Sequence, residues 1–206
     1  MDAALAYQEL IQAADRSACD AFDAHVAAAI LALGRSEAVG TADSVCERVG
    51  LDGAALRRLV AALFPEAMGI CAGVDLCLRL KVGDEEQTLR DLLWMYSTDA
   101  SPLQRDLAAM IARRCLRPHH LWQDLGLRNR AELSQLMRRH FATLAQRNRN
   151  DMKWKKYLYR AICRADGFSL CAAPVCSDCD DFAVCFGGED GESLLARNRL
   201  AQGRPG

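Results

Sequence analysis

An all-α fold is predicted for this chain of 206 residues by three features of its sequence. Ala, Leu, Arg, Glu and Gln are abundant and β-branched residues few, which favours helix by intrinsic propensity. No stretch alternates apolar and polar residues with the period of two that a half-buried strand shows. Helix caps and breakers instead punctuate apolar stretches at recognisable points. With 51% hydrophobic residues, the chain has the material for one compact domain and needs no covalent staples to hold a core.

The elements follow in order. Residues 3–33 predict one long helix, or two joined near Ser17, ending at Gly34. After a short polar stretch, Asp52 is placed to cap a helix from Gly53 to Phe64, which Pro65 closes. Residues 67–83 are ambiguous between a strand and a buried helix. Glu85 to Tyr96 reads as a helix with Leu89, Leu92, Leu93 and Tyr96 on one face. Ser101 followed by Pro102 is a cap and first-turn signature for a helix reaching about Leu116, before Pro118. The segment HHLWQDLGL predicts a short turn, Asn129 a cap for Arg130 to about Gln146, and Asp151 the start of a last helix that Gly167 ends. The expected organisation is a helical domain over 1–170, a Cys-rich loop over 171–187 and a flexible tail over 188–206.

No uncharged apolar run approaches the ~18 to 20 residues of a membrane span. The N-terminus is acidic and amphipathic, without the basic and apolar regions of a secretory signal, so a reducing, cytoplasmic setting is expected. Near neutrality hides a segregation of charge. From Arg113 through Arg164 there are fourteen Lys and Arg against three acids, and from Ala165 through Glu192 seven acids and no Lys or Arg. This pattern fits either a solvated face paired with an acidic loop or a surface that collects an oxyanion or an acidic partner. Nucleic acid fits poorly with a net charge of −1.

In a cytoplasmic chain of this length, clustered thiols point to metal rather than to disulfides. Cys171, Cys176, Cys179 and Cys185 are separated by four, two and five residues, a density found nowhere else in the chain. Structural zinc prefers two separated knuckles, which this spacing does not supply. Iron–sulfur sites do draw several thiolates from one irregular run, so iron–sulfur is the favoured reading and zinc the alternative. Cys19, Cys46, Cys71, Cys77 and Cys115 occur singly and are expected in the core.

The stretches HLWQDLGLRNRAELSQLM, DMKWKKYLYRAIC and CAAPVCSDCDDFAVCFGG together resemble the NifQ family, over roughly His119 to Gly187. Val175 departs from the small polar residue expected before the second cysteine, which touches packing rather than ligands. The resemblance implies an iron–sulfur protein that holds molybdenum in a Mo–Fe–S cluster. It would hand that molybdenum to the machinery that builds the nitrogenase FeMo-cofactor, NifEN with NifH. It implies that Cys171, Cys176, Cys179 and Cys185 are the ligands and that the protein is a carrier of metal rather than an enzyme; neither a nucleophile–base–acid set nor a phosphate-cradling Gly loop is evident.

A protein that moves molybdenum from molybdate, a dianion of hard oxygens, into a sulfur environment needs a cationic approach and a soft destination. Lys153, Lys156 and Arg160 on the last helix are the candidates for attracting the oxyanion. Cys163 and His119 are candidate additional ligands, although a buried thiol is the simpler reading of Cys163, and capping or packing that of His119. His25, His140, Trp122 and Trp154 read as structural. Two rivals remain: an iron–sulfur electron carrier, and a DNA-repair glycosylase, whose Gly-rich hairpin is missing.

Overall fold

The computed structural model describes residues 2–41, 44–165, 189, 191 and 193–195, with side chains up to residue 162 in the last helix. Among these residues there are helices and turns and no strand. The expected all-α fold is therefore borne out for the body of the chain.

α1 (Ala3–Gln12) and α2 (Ala21–Ala38) pack against each other, each opened by an aspartate, Asp2 and Asp20, whose carboxylate accepts from the first turn. The expected join near Ser17 is a real break, at residues 13–20. α2 is buried on all sides from Asp23 to Gly34, which makes it the central helix, and its run of alanines lets neighbours approach closely. Gly34 does not end it. A Cβ there would lie 2.3 Å from Val49 Cγ1, so the glycine is a contact surface inside the helix rather than a terminator.

Val49 belongs to α3 (Val45–Val49), a short helix in the polar stretch for which the sequence reading gives no element. Ser44 and Glu47 form a capping box, and Gly50, at φ +82°, closes the helix directly against Arg113. α4 (Gly53–Leu63) is capped by Asp52 as expected, with the carboxylate accepting from Ala55 N at 2.8 Å. Pro65 then starts a 3-10 turn over Pro65–Cys71. Beyond it, residues 72–83 form an irregular strap rather than a strand or a buried helix, with Leu76 exposed.

α5 (Asp84–Met95) and α6 (Pro102–Cys115) pack side by side, with Leu89 and Leu93 fully buried and Ser101 capping α6. The turn expected at HHLWQDLGL contains α7 (Leu121–Asp124). The single helix expected from Arg130 is two, α8 (Arg130–His140) and α9 (Ala142–Arg147). No Pro or Gly breaks them. Thr98, in the loop after α5, donates its N–H to His140 O at 2.9 Å and accepts from Ala142 N with its hydroxyl at 3.2 Å, taking over the backbone groups freed at the fully buried Phe141. α10 (Trp154–Ala165) starts three residues later than Asp151. Asn148 holds the turn before it, accepting from Met152 N and donating to Met152 O, both at 2.9 Å.

Candidate functional site

The site grows from α7. His120 is its N-cap, and Gln123 reaches back to accept from the His120 backbone at 3.2 Å. Leu121, Trp122, Leu125 and Leu127 are buried around this single turn. Gly126, at φ +74°, presses its end onto α2, where a Cβ would meet Leu33 Cδ1 at 2.9 Å and Ala29 O at 3.1 Å. A four-residue helix could not hold polar groups still by itself, but one seated on the central helix can.

Asp124 closes this turn with a side chain only 3% exposed. One carboxylate oxygen meets His119 Nδ1 at 3.1 Å, and the other accepts from Lys155 Nζ at 2.5 Å. The same ammonium donates to Arg117 O at 2.5 Å. Lys155 thereby fastens α10 to α7 and to the turn after α6. Arg130, at the start of α8, secures the entry to α10, donating to Asp151 O at 2.6 Å, to its carboxylate at 2.9 Å and to Met152 O at 3.1 Å.

The chain returns to the same place at Glu189. Its carboxylate, almost wholly withdrawn from solvent, lies 3.3 Å from His120 Nδ1 and 3.2 Å from Arg130 Nη1. Ser193 is buried with its hydroxyl 3.4 Å from Gly126 O, and Leu195 packs on the core. Within the segment expected as a flexible tail, these residues rest on the helical body.

Cys171, Cys176, Cys179 and Cys185 lie outside the described residues, as does the side chain of Cys163 on α10. His119 is half-exposed and engaged by Asp124. Lys156 is exposed on α10, while Lys153 and Arg160 are partly buried and interact with other groups. Sequence reasoning missed Asp124, Arg130 and Glu189, and took Lys155 only as one more cation of the last helix. For Lys155 a signal existed: it stands three residues before the fully buried Leu158, on the inward face of α10. Part of the basic stretch pairs with acids of the body, Arg113 with Glu86, Arg114 and Arg117 with a shared Glu37, and Arg139 with Asp23.

His25 and His140 are structural, as expected. His140 Nε2 contacts Asp23 at 2.9 Å, and His25 links Tyr7 Oη at 2.8 Å to Glu132 at 3.2 Å. Burial raises the Tyr7 phenol above its ordinary value, which keeps it protonated, so this chain of contacts ties α1, α2 and α8 together. Trp154 is buried and donates to Ser134 Oγ at 3.2 Å.

The remaining described thiols stand apart. Cys46 and Cys115 are buried, and burial pushes them up to about 11 and about 12, far from the thiolate a metal requires. Cys19 and Cys71 are partly buried. Cys77 departs from expectation, being exposed on the strap rather than in the core. Among the described residues, no group of three or more His, Cys, Asp or Glu side chains is placed to hold a metal ion. The four thiols expected as ligands, between 171 and 185, lie outside those residues.

The sequence model of the NifQ family matches residues 26–187, most of the chain and all four of those cysteines. The chain belongs to the NifQ family. It is similar to the NifQ homolog of Sinorhizobium fredii, 39% identical over 84% of this chain and 75% of that protein. It is also similar to NifQ of Rhodobacter capsulatus, 38% identical over 76% of this chain and 86% of the relative, and to NifQ of Azotobacter vinelandii, 34% identical over 68% and 78%. No solved structure matches the chain. The NifQ match begins inside α2 and runs through α10, so the α7–α8–α10 network lies wholly within it. Among the described residues of this NifQ-family chain, no helix is long and apolar enough to cross a membrane.

Proposed function

We propose that this NifQ-family chain is a molybdenum carrier. In this reading it takes up molybdenum at a thiolate site made by Cys171, Cys176, Cys179 and Cys185 and donates it for assembly of the nitrogenase FeMo-cofactor, with NifEN and NifH as the recipients. The observation that carries the reading is family membership over residues 26–187, which includes all four thiols of a soft, closely spaced donor set. An iron–sulfur core bound there supplies sulfide and iron to which molybdenum can be joined.

The chain's own residues divide the remaining work. Three or four thiolates hold the core, with Cys163 or His119 as a further ligand. Lys153, Lys156 and Arg160 draw a tetrahedral dianion towards α10. Asp124, Lys155 and Arg130 keep α10 fixed on the body while the segment that follows it is loaded and unloaded. None of these roles requires turnover chemistry, which supports a carrier rather than an enzyme.

Anaerobic purification and elemental analysis of iron, molybdenum, zinc and sulfide test the reading, together with single Cys→Ser substitutions at the four positions. Iron and molybdenum are expected in the parent and both should fall in the variants. Replacing Lys153 and Lys156 by Gln should lower molybdenum and leave iron unchanged. Zinc as the sole metal, or metal content untouched in all four cysteine variants, would overturn the proposal.

A further inference from the structure

A second site of a different kind lies between α3, the strap and the last turn of α6, where a cavity of about 600 Å³ opens. Its walls are fixed by backbone. Gly53 N donates to Leu78 O at 3.3 Å, and a Cβ on Gly53 would lie only 1.9 Å from Asp75 O, so the strap crosses the start of α4 in direct contact. Arg79 is tied to the Asp52 cap at 2.7 Å, and Gly50 seats the end of α3 on Arg113.

The lining is cationic well beyond what its acids neutralise. Glu47 and Arg48 offset each other in formal charge. Among the described residues, Asp52 pairs with Arg79, Glu86 is shared by Arg90 and Arg113, and Glu37 is shared by Arg114 and Arg117. Lys81 has no ion pair among the described residues. Besides Arg48, the lining thus holds four cations, Arg79, Lys81, Arg113 and Arg117, met by three carboxylates from outside it, two of which are shared with Arg90 and Arg114, on a chain whose net charge is −1. The carbonyl end of α6 contributes partial negative charge, which Arg113 and Arg114 in its last turn offset. An excess of this size suits a dianion or polyanion better than a single carboxylate, and guanidinium forks match phosphate oxygens in pairs.

The remaining wall is apolar, made by Leu78, Leu80 and Leu116. A bare tetrahedral oxyanion has no use for such a wall and would fill a small part of the space. The volume falls in the range of about 300 to 1,000 Å³ that holds small organic ligands. We propose that this pocket binds a phosphorylated organic molecule of nucleotide size. Its phosphates face Arg79, Lys81, Arg113 and Arg117, and its organic part lies on the three leucines. The site is distinct in residues from the thiolate site and does not depend on that reading.

Calorimetric titration of the full chain with ADP, inorganic phosphate and molybdate tests this. ADP is expected to bind saturably and at least tenfold more tightly than either inorganic anion, and more weakly as salt is raised. Lys81→Gln alone should weaken ADP measurably, and the Arg79→Gln, Lys81→Gln double variant at least tenfold. Arg149→Gln, an exposed cation given no part in either site, should leave it unchanged. Both substituted side chains are exposed, and iron content in the double variant should equal the parent's, separating this result from any fault in the thiolate site. Absence of saturable ADP binding, equal affinity in the double variant, or phosphate or molybdate binding as tightly as ADP would overturn the proposal.

Discussion

Lys155 and Asp124, thirty-one residues apart in sequence, meet at 2.5 Å with side chains 18% and 3% exposed. The pair joins the helix that leads into the cysteine segment to the turn seated on the central helix. A contact of this kind is worth most when considered from the partner left behind, because an unpaired buried carboxylate has lost its solvation and gained nothing in return.

Lys155→Met should therefore destabilise the fold by about 3 kcal/mol, the scale expected for breaking a buried pair. Lys156→Met, one residue along on the exposed face, should change stability by no more than about 0.5 kcal/mol. Urea unfolding of the two variants, compared at equal slope, separates them; equal losses would mean that the Asp124 pair is not the fastening of α10.

Acid sensitivity should concentrate at Glu37. Burial would raise its carboxyl, but Arg114, itself fully buried, and Arg117 outweigh burial and hold it below its ordinary 4.5. A carboxyl lowered on folding contributes stability that is complete above the unfolded value and lost as pH falls through the folded one. Glu37→Gln should thus be clearly less stable than the parent at neutral pH, and the gap between them should narrow below about pH 4.5. Denaturation midpoints from pH 3 to 7 follow that gap.

Thiol reactivity should sort by position. In the native protein, iodoacetamide should label Cys77 rapidly, while Cys46 and Cys115, buried and pushed up to about 11 and about 12, should be labelled only on unfolding. Peptide mass mapping over a time course gives the three rates separately.

Two glycines should resist even the smallest side chain. Gly34→Ala drives a methyl to 2.3 Å from Val49 Cγ1, and Gly53→Ala drives one to 1.9 Å from a backbone oxygen of the strap. Each should cost about 1 to 3 kcal/mol, with Gly53→Ala the worse because backbone cannot turn aside as a side chain can. Thermal melts of the two variants test the order.

The parts of this fold that are written locally were legible in the sequence. Asp52, Ser101 and Asn129 each cap the helix expected of them, because a short polar side chain acts on the two or three residues that follow it. The Ser-x-x-Glu spacing of Ser44 and Glu47 is a signal of the same local kind, but the sequence reading passes over it and leaves α3 out. Gly34 and Phe141 were not readable. In each case a distant segment decides the outcome: Val49 occupies the space that lets a glycine sit inside a helix, and Thr98 takes the backbone bonds that let a helix end without a breaker. The same holds at the site. Lys153, Lys156 and Arg160 stand out by composition, whereas Lys155 takes its meaning from Asp124 and Arg117, which local spacing does not reveal.

Glu189 gives the architecture its economy. Its carboxylate rests on His120 and Arg130, so a residue far beyond α10 in sequence is joined to α7 and to the start of α8. Bringing two points of a chain together costs entropy that grows with the number of residues between them, and the contacts made by Glu189, Ser193 and Leu195 offset that cost here.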